Sequence, residues 1–325
     1  MDGTGMSTEL LERSDEWSVR RADVDEVDGL RQSIAGVEIE AIRTQVGPGP
    51  NRVLAADVGH FVFNSISQGF PTRSRTTIPD DVVIATAITA APPGSRWCEI
   101  ELRPGSIIIY GPGTEHAAVN LPGLRFAFAI IRLDDLAQFA DALMSRVATP
   151  QRGVVREVAL TDATRPLKPA LESFADAAGR NGCSLQRPAD DVARALVLAM
   201  TEDDCLHRIG IGRTIDSRYV VHACIDYANA TQRIPSITEL CLAAHVSERR
   251  LREAFVREFD LPPSRYFRNW ALEATHRRLM AADPSEESVT QIAVDVGFDH
   301  LGRFAGHYQT LFGERPSATL RTPVS

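Results

Sequence analysis

The chain has no apolar run long enough to cross a bilayer. Its longest, Val82 to Ala91, is interrupted by threonines and bounded by Asp81 and Pro92, far short of the ~20 residues that a spanning helix needs. The first sixteen residues carry Asp2, Glu9, Glu12, Asp15 and Glu16, one arginine and no apolar stretch, the reverse of a secretory signal. The expectation is a cytoplasmic protein without a membrane partner. The five cysteines, Cys98, Cys183, Cys205, Cys224 and Cys241, never share a C-x-x-C spacing, so neither a structural zinc site nor a disulfide framework is expected, only free thiols in a reducing compartment. Nucleotide and hydrolase signatures are missing too: there is no G-x-S-x-G, P-loop, H-E-x-x-H or G-x-G-x-x-G between strand and helix, so no enzyme activity and no cofactor are expected. Gly210-Ile-Gly212 lacks the third glycine, and Glu115-His116, a conceivable base pair, has no nucleophile tied to it.

What is present is an ordinary globular composition, 44% hydrophobic and 24% charged over 325 residues, enough for about two domains. The net charge of −8 argues at first against nucleic acid. Its distribution changes that: from residue 218 onward there are thirteen arginines, no lysine and thirteen acidic residues, so the whole acidic excess lies in residues 1–217. A neutral C-terminal third implies low non-specific DNA affinity, with binding resting on a few placed arginines and on avidity.

Residues 1–20 are polar and acidic, which predicts a frayed tail. From Val37 to Leu133, short β-branched runs (Val37–Ile42, Val53–Val58, Phe61–Ser65, Val82–Thr89, Ser106–Tyr110 and Arg125–Ile131) alternate with Gly/Pro turns, which predicts a sandwich or barrel. Helical spacing follows over Asp134–Val147, Pro166–Ala178 and Ala189–Leu206. Residues 208–216 read as a linker. Helices are then predicted over Ser217–Ala230, Ile237–His245, Ser247–Glu258, Pro263–Ala282, Val289–Val296 and His300–Phe312. The organisation is thus a tail (1–20), an N-terminal domain (21–207), a linker (208–216) and a C-terminal domain (217–325).

The last hundred residues contain a repeat with a period of about 52–53 residues, with one residue inserted in the second turn. Leu240-Cys241 aligns with Ile292-Ala293, Val246 with Phe298, Leu251 with Phe304, Phe255 with Tyr308, Phe259 with Phe312 and Pro263-Ser264 with Pro316-Ser317. Each copy has helix-turn-helix anatomy: a short helix, a corner plugged by Val246 or Phe298, an N-cap at Ser247 or Asp299, and a second helix anchored by an i, i+4 apolar pair. With Leu251 buried, Arg249 and Glu253 face outward, flanked by Arg250 and Arg252. Arginine suits bidentate recognition of guanine and phosphate. The same pattern also suits a solvated face laced by Glu–Arg pairs, with Glu248 reaching Arg252. The predicted helix between the copies is about 30 Å long, close to the ~34 Å between successive major-groove segments on one face of B-DNA.

These segments resemble the DNA-binding domain of AraC/XylS-type transcriptional regulators. The resemblance rests on Leu240-Cys-Leu-Ala-Ala-His-Val-Ser-Glu-Arg-Arg-Leu251, Phe255-Val-Arg-Glu-Phe259 with Pro263-Ser264, Ile292-Ala-Val-Asp-Val-Gly-Phe298 and Phe312-Gly-Glu-Arg-Pro-Ser317. It implies double-stranded DNA as partner, a homodimer, and RNA polymerase as a further partner if the protein is an activator. By position it implies contacts from Arg249, Arg252 and Glu253, with Ser247 and Arg250 beside them. In the second copy it implies Leu301, Gly302, Arg303 and Gly306, with His300 and His307 as further polar groups. Gly306 departs from the Arg or Lys usual there, which assigns base reading to the first motif (237–258) and affinity and register to the second (289–312).

Arg103–His116 is similar to the second half of a cupin motif, but no His-x-His accompanies it and His60 stands alone upstream, so no metal is expected. The expected fold is α+β: a cupin-like barrel or sandwich with packing helices, followed by an all-α domain with two helix-turn-helix motifs joined by a linker helix. The family resemblance implies that the first domain binds a small effector, dimerises, or both, with the helices at 134–147 and 189–206 either forming the dimer surface or covering the barrel. Phe61, Phe63, Trp97, Tyr110, Phe126 and Phe128 are core or pocket lining, and Phe61, Phe63, Trp97, Tyr110, His116 and Phe128 are the effector-site candidates. Two rival readings stand beside the regulator: a cupin-type enzyme with an accessory helical domain, and an interaction module that has lost DNA binding.

Overall fold

The computed structural model describes residues 6–13, 17–34, 36–98, 100–145, 147, 152–180, 183–200 and 215–321. Two antiparallel sheets form the N-terminal half. The larger has eight strands in the order β1 (Met6–Arg13), β2 (Ser18–Val24), β4 (Asn51–Asp57), β5 (Phe61–Ser67), β12 (Arg125–Arg132), β7 (Val82–Ala90), β10 (Ile107–Tyr110) and β13 (Val155–Val158). The smaller has five, in the order β3 (Glu38–Arg43), β6 (Thr72–Thr77), β11 (Glu115–Asn120), β8 (Arg96–Trp97) and β9 (Ile100–Glu101). The two do not close into one barrel, so of the expected alternatives the sandwich is found.

The larger sheet is covered on both faces, which is why β7 reads as an apolar run broken only by Thr86 and Thr89. Alternate residues separate two cores. Phe61, Phe63, Val83, Ala85, Ile107, Ile109, Ala127 and Ala129 meet three helices: α2 (Leu133–Ala142), α3 (Leu167–Ala178) and α4 (Gln186–Ala199). Ile66, Ile84, Ile108, Tyr110, Phe126 and Phe128 face the smaller sheet instead. The helices expected over 134–147 and 189–206 therefore cover a sheet, the second of the two roles anticipated for them.

Several elements differ from expectation. The acidic tail is not frayed over its described part: β1 pairs antiparallel with β2 from Met6↔Val24 to Arg13↔Ser18, with a register shift between Leu10 and Glu12. The strand β6, Thr-Arg-Ser-Arg-Thr-Thr, has almost no apolar signal, yet Thr72, Ser74, Arg75 and Thr76 are buried. A short helix, α1 (Val27–Ser33), precedes β3. The expected linker 208–216 lies outside the described residues up to 214, and its last two positions open the next helix.

The C-terminal helices are α5 (Ile215–Thr231), α6 (Ile237–Ala243), α7 (Glu248–Phe259), α8 (Pro263–Ala281), α9 (Val289–Asp295), α10 (Leu301–Phe312) and α11 (Pro316–Thr319). Each repeat builds its own core. Leu240, Leu251, Phe255 and Phe259 pack with Tyr266, Phe267 and Ile42 of β3. Ile292, Phe298, Phe304 and Tyr308 pack with Leu272 and Leu279. Trp270 of α8 touches both, so at about 28 Å this helix is the spacer foreseen from its length. The repeat extends to the backbone: His245 and Gly297 hold positive φ in the two corners, as do Asp260 and Gly313 just past α7 and α10, the left-handed geometry that ends a helix. Ser247 caps α7 by accepting from Arg250 N. In the second copy the cap position is His300 rather than Asp299, without a side-chain bond, since the inserted turn residue starts α10 one step later.

The small sheet is sandwiched a second time, between the larger sheet and α5–α8. Arg73 and Arg96 both reach Asp260 at the end of α7, at 3.7 and 3.2 Å. Asn269 of α8 donates to the Arg43 carbonyl at 3.0 Å, and Arg277 pairs with Asp28 of α1 at 2.6 Å.

Candidate nucleic-acid interface and ligand cavity

In the first motif, Arg249, Arg252 and Glu253 are exposed on α7, as the outward-facing positions require, with Arg250 half-buried beside them and Ser247 exposed at the cap. Arg249 Nε donates to Glu253 Oε1 at 2.9 Å, and Arg252 donates to Glu248 Oε1 at 3.1 Å. The intrahelical pairs thus form together with the exposed arginine face. Exposed i, i+4 pairs of this kind are weak and screened by salt, so they hold the guanidinium groups in place without locking them.

In the second motif Leu301, Gly302, Arg303 and Gly306 are exposed, His300 is exposed at the cap and His307 is half-buried. A β-carbon built on Gly302 or Gly306 meets nothing within 4 Å, so neither glycine is required by packing. Their effect is to leave a bare, low helix face. Beside that face stand two arginines that the repeat pattern did not single out, Arg265 and Arg268 of α8. Burial and the charge of Arg265 lower Arg268, while burial and the charges of Arg268 and Arg303 push the His307 imidazole down. Among the described residues, none of Arg265, Arg268 and Arg303 is paired with a carboxylate. The signal that would have found this cluster is the i, i+3 spacing of 265 and 268, facing the i, i+4 spacing of 303 and 307.

The effector candidates divide between the two faces of the larger sheet. Trp97, Tyr110, His116 and Phe128 line one cavity between the sheets, joined by Phe126, by Leu30 of α1 and by Ile34 just past it. Phe61 and Phe63 do not reach it. They lie one residue out of phase, against Phe174 of α3 at 5.6 and 4.6 Å between ring centroids. Burial pushes His116 down to about 4 and holds Tyr110 well above its ordinary value. His60 sits elsewhere, edge-on to Phe139.

The outer side of α1 bears on α8. Glu26, at the start of α1, lies 3.7 Å from His276 Nε2. His276 is stacked on Phe312 at 4.1 Å and bonded through Nδ1 to the Tyr308 hydroxyl. Arg43 lies over the Phe70 ring at 3.8 Å, with Phe312 at 5.6 Å. Glu273, 5% exposed, is close to Arg43 and Glu26, and its Oε1 has no partner among the described residues. No sequence signal marked this seam, because its members come from five separate stretches of the chain.

A helix-turn-helix domain family matches residues 240–322, spanning both motifs. Residues 240–322 are an AraC/XylS-type helix-turn-helix domain. Among curated proteins, the chain is 36% identical over 104 residues to the probable thc operon regulatory protein of Rhodococcus erythropolis, covering 32% of this chain and 31% of that one. It is 42% identical over 86 residues to XylDLEGF operon transcriptional activator 1 of Pseudomonas putida, covering 26% of each. The chain thus matches about a third or less of the length of these relatives. Among solved structures, a probable AraC family transcriptional regulator from Rhodopseudomonas palustris is 33% identical over 31% of this chain and 94% of its own, with a TM-score of 0.29. The AraC-like transcriptional activator CuxR is 12% identical over 90% of this chain and all of its own, with a TM-score of 0.39. No helix among the described residues is long and apolar enough to cross a membrane.

Proposed function

We propose that the protein is a sequence-specific transcriptional regulator whose AraC/XylS-type domain binds operator DNA under control of a small effector held in the N-terminal sandwich. The observation that carries this reading is the pair of helix-turn-helix units on one spacer helix, each turning an unobstructed face outward. In the first unit Arg249, Arg252 and Glu253 read base edges, with Ser247 and Arg250 at the phosphates. In the second, Arg303, His300 and His307, with Leu301 alongside, follow the backbone, joined by Arg265 and Arg268. Homodimerisation supplies the avidity that a charge-neutral DNA-binding region needs, and RNA polymerase is the further partner if the regulator activates. The effector reading is supported by the position of the cavity, since α1 and its flanking residues line it with Leu30 and Ile34 and meet α8 through Glu26 and Asp28. A ligand that displaces α1 therefore changes contacts to the spacer helix, which is the differential interaction that effector control requires.

The test begins with genomic fragments captured by the purified full-length protein. Gel retardation of a captured site at ~0.15 M salt then compares wild type with Arg249→Ala/Arg252→Ala. The double variant loses sequence preference while keeping residual binding to any DNA. Undiminished preference would sink the assignment of the first motif, and failure to retard any DNA at low salt would favour an interaction module instead.

A further inference from the structure

The cavity between the sheets has an unusual chemical inventory. Among the described residues, its walls contain no lysine, arginine, aspartate or glutamate. The nearest charged side chains on its strands point away: Ser74 and Thr76 of β6 line the cavity, whereas Arg75 between them pairs with Glu115 on the far face. Burial keeps the His116 imidazole and the Tyr110 phenol uncharged at neutral pH. A carboxylate entering this space would give up its hydration and find no counter-charge, a cost no neutral wall repays.

Four of the polar side chains in the walls, Gln68, Ser74, Trp97 and Asn120, are already hydrogen-bonded. Trp97 Nε1 donates to Asn120 Oδ1 at 2.8 Å, Asn120 Nδ2 donates to Ser74 Oγ at 3.3 Å, and Gln68 Nε2 donates to the Phe70 carbonyl at 2.7 Å. Two of the remaining groups are shut off from solvent as well as unpaired. The Tyr110 hydroxyl and His116 Nδ1 are buried and have no hydrogen-bond partner among the described residues. Their rings lie side by side, with centroids 4.7 Å apart. Buried polar atoms of native proteins are nearly always satisfied, so this pair marks where a ligand's polar group belongs.

Size and shape narrow the choice further. The cavity volume is about 70 Å³. At roughly 10–15 Å³ per water on this measure, that is room for about five waters, or about 150 Å³ of liquid, a size at which an apolar cavity takes up a benzene ring. Five of the lining side chains are rings, some at steep mutual angles: Trp97 stands edge-on to Phe126 at 4.9 Å and lies 5.7 Å from His116. Offset and edge-to-face arrangements of this kind favour a planar aromatic guest.

We infer that the cavity binds an uncharged single-ring ligand with one hydrogen-bonding substituent, satisfied by Tyr110 and His116, and that it discriminates against carboxylates of the same size. The inference rests on the effector reading above and names the chemical class of the effector. A phenol fits this description: its hydroxyl accepts from Tyr110 and donates to the unprotonated nitrogen of His116.

Calorimetric titration of the full-length protein at neutral pH, with 4-methylphenol, benzoate and toluene as probes, tests it. The phenol binds at least tenfold more tightly than benzoate. Tyr110→Phe weakens the phenol by about three- to tenfold, the range for one lost hydrogen bond, and leaves toluene unchanged, which a merely structural role for Tyr110 would not do. Ala118→Leu, which fills the cavity, removes binding of both neutral probes without lowering the melting temperature. Benzoate binding as tightly as the phenol would overturn the assigned class while leaving effector control standing. Binding of none of the three would overturn it also. Neither result touches the gel-retardation test of DNA binding, which needs no ligand.

Discussion

Glu273 offers the sharpest physical test of the seam between the sandwich and the spacer helix. It sits on α8, 5% exposed, facing Arg43 from β3 and Glu26 and Asp28 from the start of α1, with His276 and Arg277 beside it on α8. Burial raises its carboxyl to about 7, Arg43 offsets part of that, and Glu26 adds to it. The sign follows from proton counting. Between about 4.5 and 7 the folded protein holds this proton and the unfolded chain has released it, so stability falls as pH rises through that window. At about 1.4 kcal/mol per pH unit the cost accumulates to about 3 kcal/mol. Glu273→Gln replaces the neutral acid with a neutral group of the same shape and avoids the charging cost. Urea unfolding of both proteins at pH 5, 6, 7 and 8 measures the difference. The variant gains little at pH 5, gains about 1.4 kcal/mol more per pH unit up to about 7, and levels off near 3 kcal/mol above that. His276 and His116, each pushed down to about 4 by burial, act in the opposite direction: their stability contribution is lost as pH falls from about 6.5 toward 4. Both proteins share them, so they drop out of the comparison. A difference that stays constant across the range would refute the claim that Glu273 is buried protonated.

Two further outcomes follow from the C-terminal helices. Arg268→Ala/Arg303→Ala lowers affinity about equally for all DNA sequences and reduces the slope of log affinity against log salt by about 2, one phosphate contact each; an unchanged slope would remove the second cluster from the interface. Gly302→Ala and Gly306→Ala each raise stability by up to about 1 kcal/mol in thermal unfolding, since the added methyl meets nothing, and a loss of stability would show that the bare face of α10 is required by packing.

The C-terminal repeat was legible because both of its signals are local. Leu251 with Phe255 and Phe304 with Tyr308 recur at helical spacing, and caps and corner residues sit at fixed offsets from them. Such features are written within a dozen consecutive residues, where backbone geometry alone relates them. The strands with one apolar face were legible for the same reason. Those whose burial is polar were not: β6 is absent from the predicted strands, and only its place between cavity and helices, with Arg75 held by Glu115 and Arg73 by Asp260, makes Thr-Arg-Ser-Arg a buried strand. Conversely, Phe61 and Phe63 are as aromatic as Phe126 and Phe128, and side-chain type cannot say which face of a sheet each occupies.

Sequence by itself determined the helix-turn-helix pair, the spacer between its units and the outward arginines of α7, because periodicity dictates which side of a helix is buried. Tertiary structure alone decided three things. Strand register sent Phe61 and Phe63 toward α3 and Phe126 and Phe128 into the cavity. Packing of α8 against α10 gathered Arg265, Arg268, Arg303 and His307 into one cluster. Docking of α1 and β3 on α8 buried Glu26, Arg43, Glu273 and His276 together. In each case the partners are far apart in the chain, and no local pattern encodes a contact whose two sides are chosen by how separate elements pack.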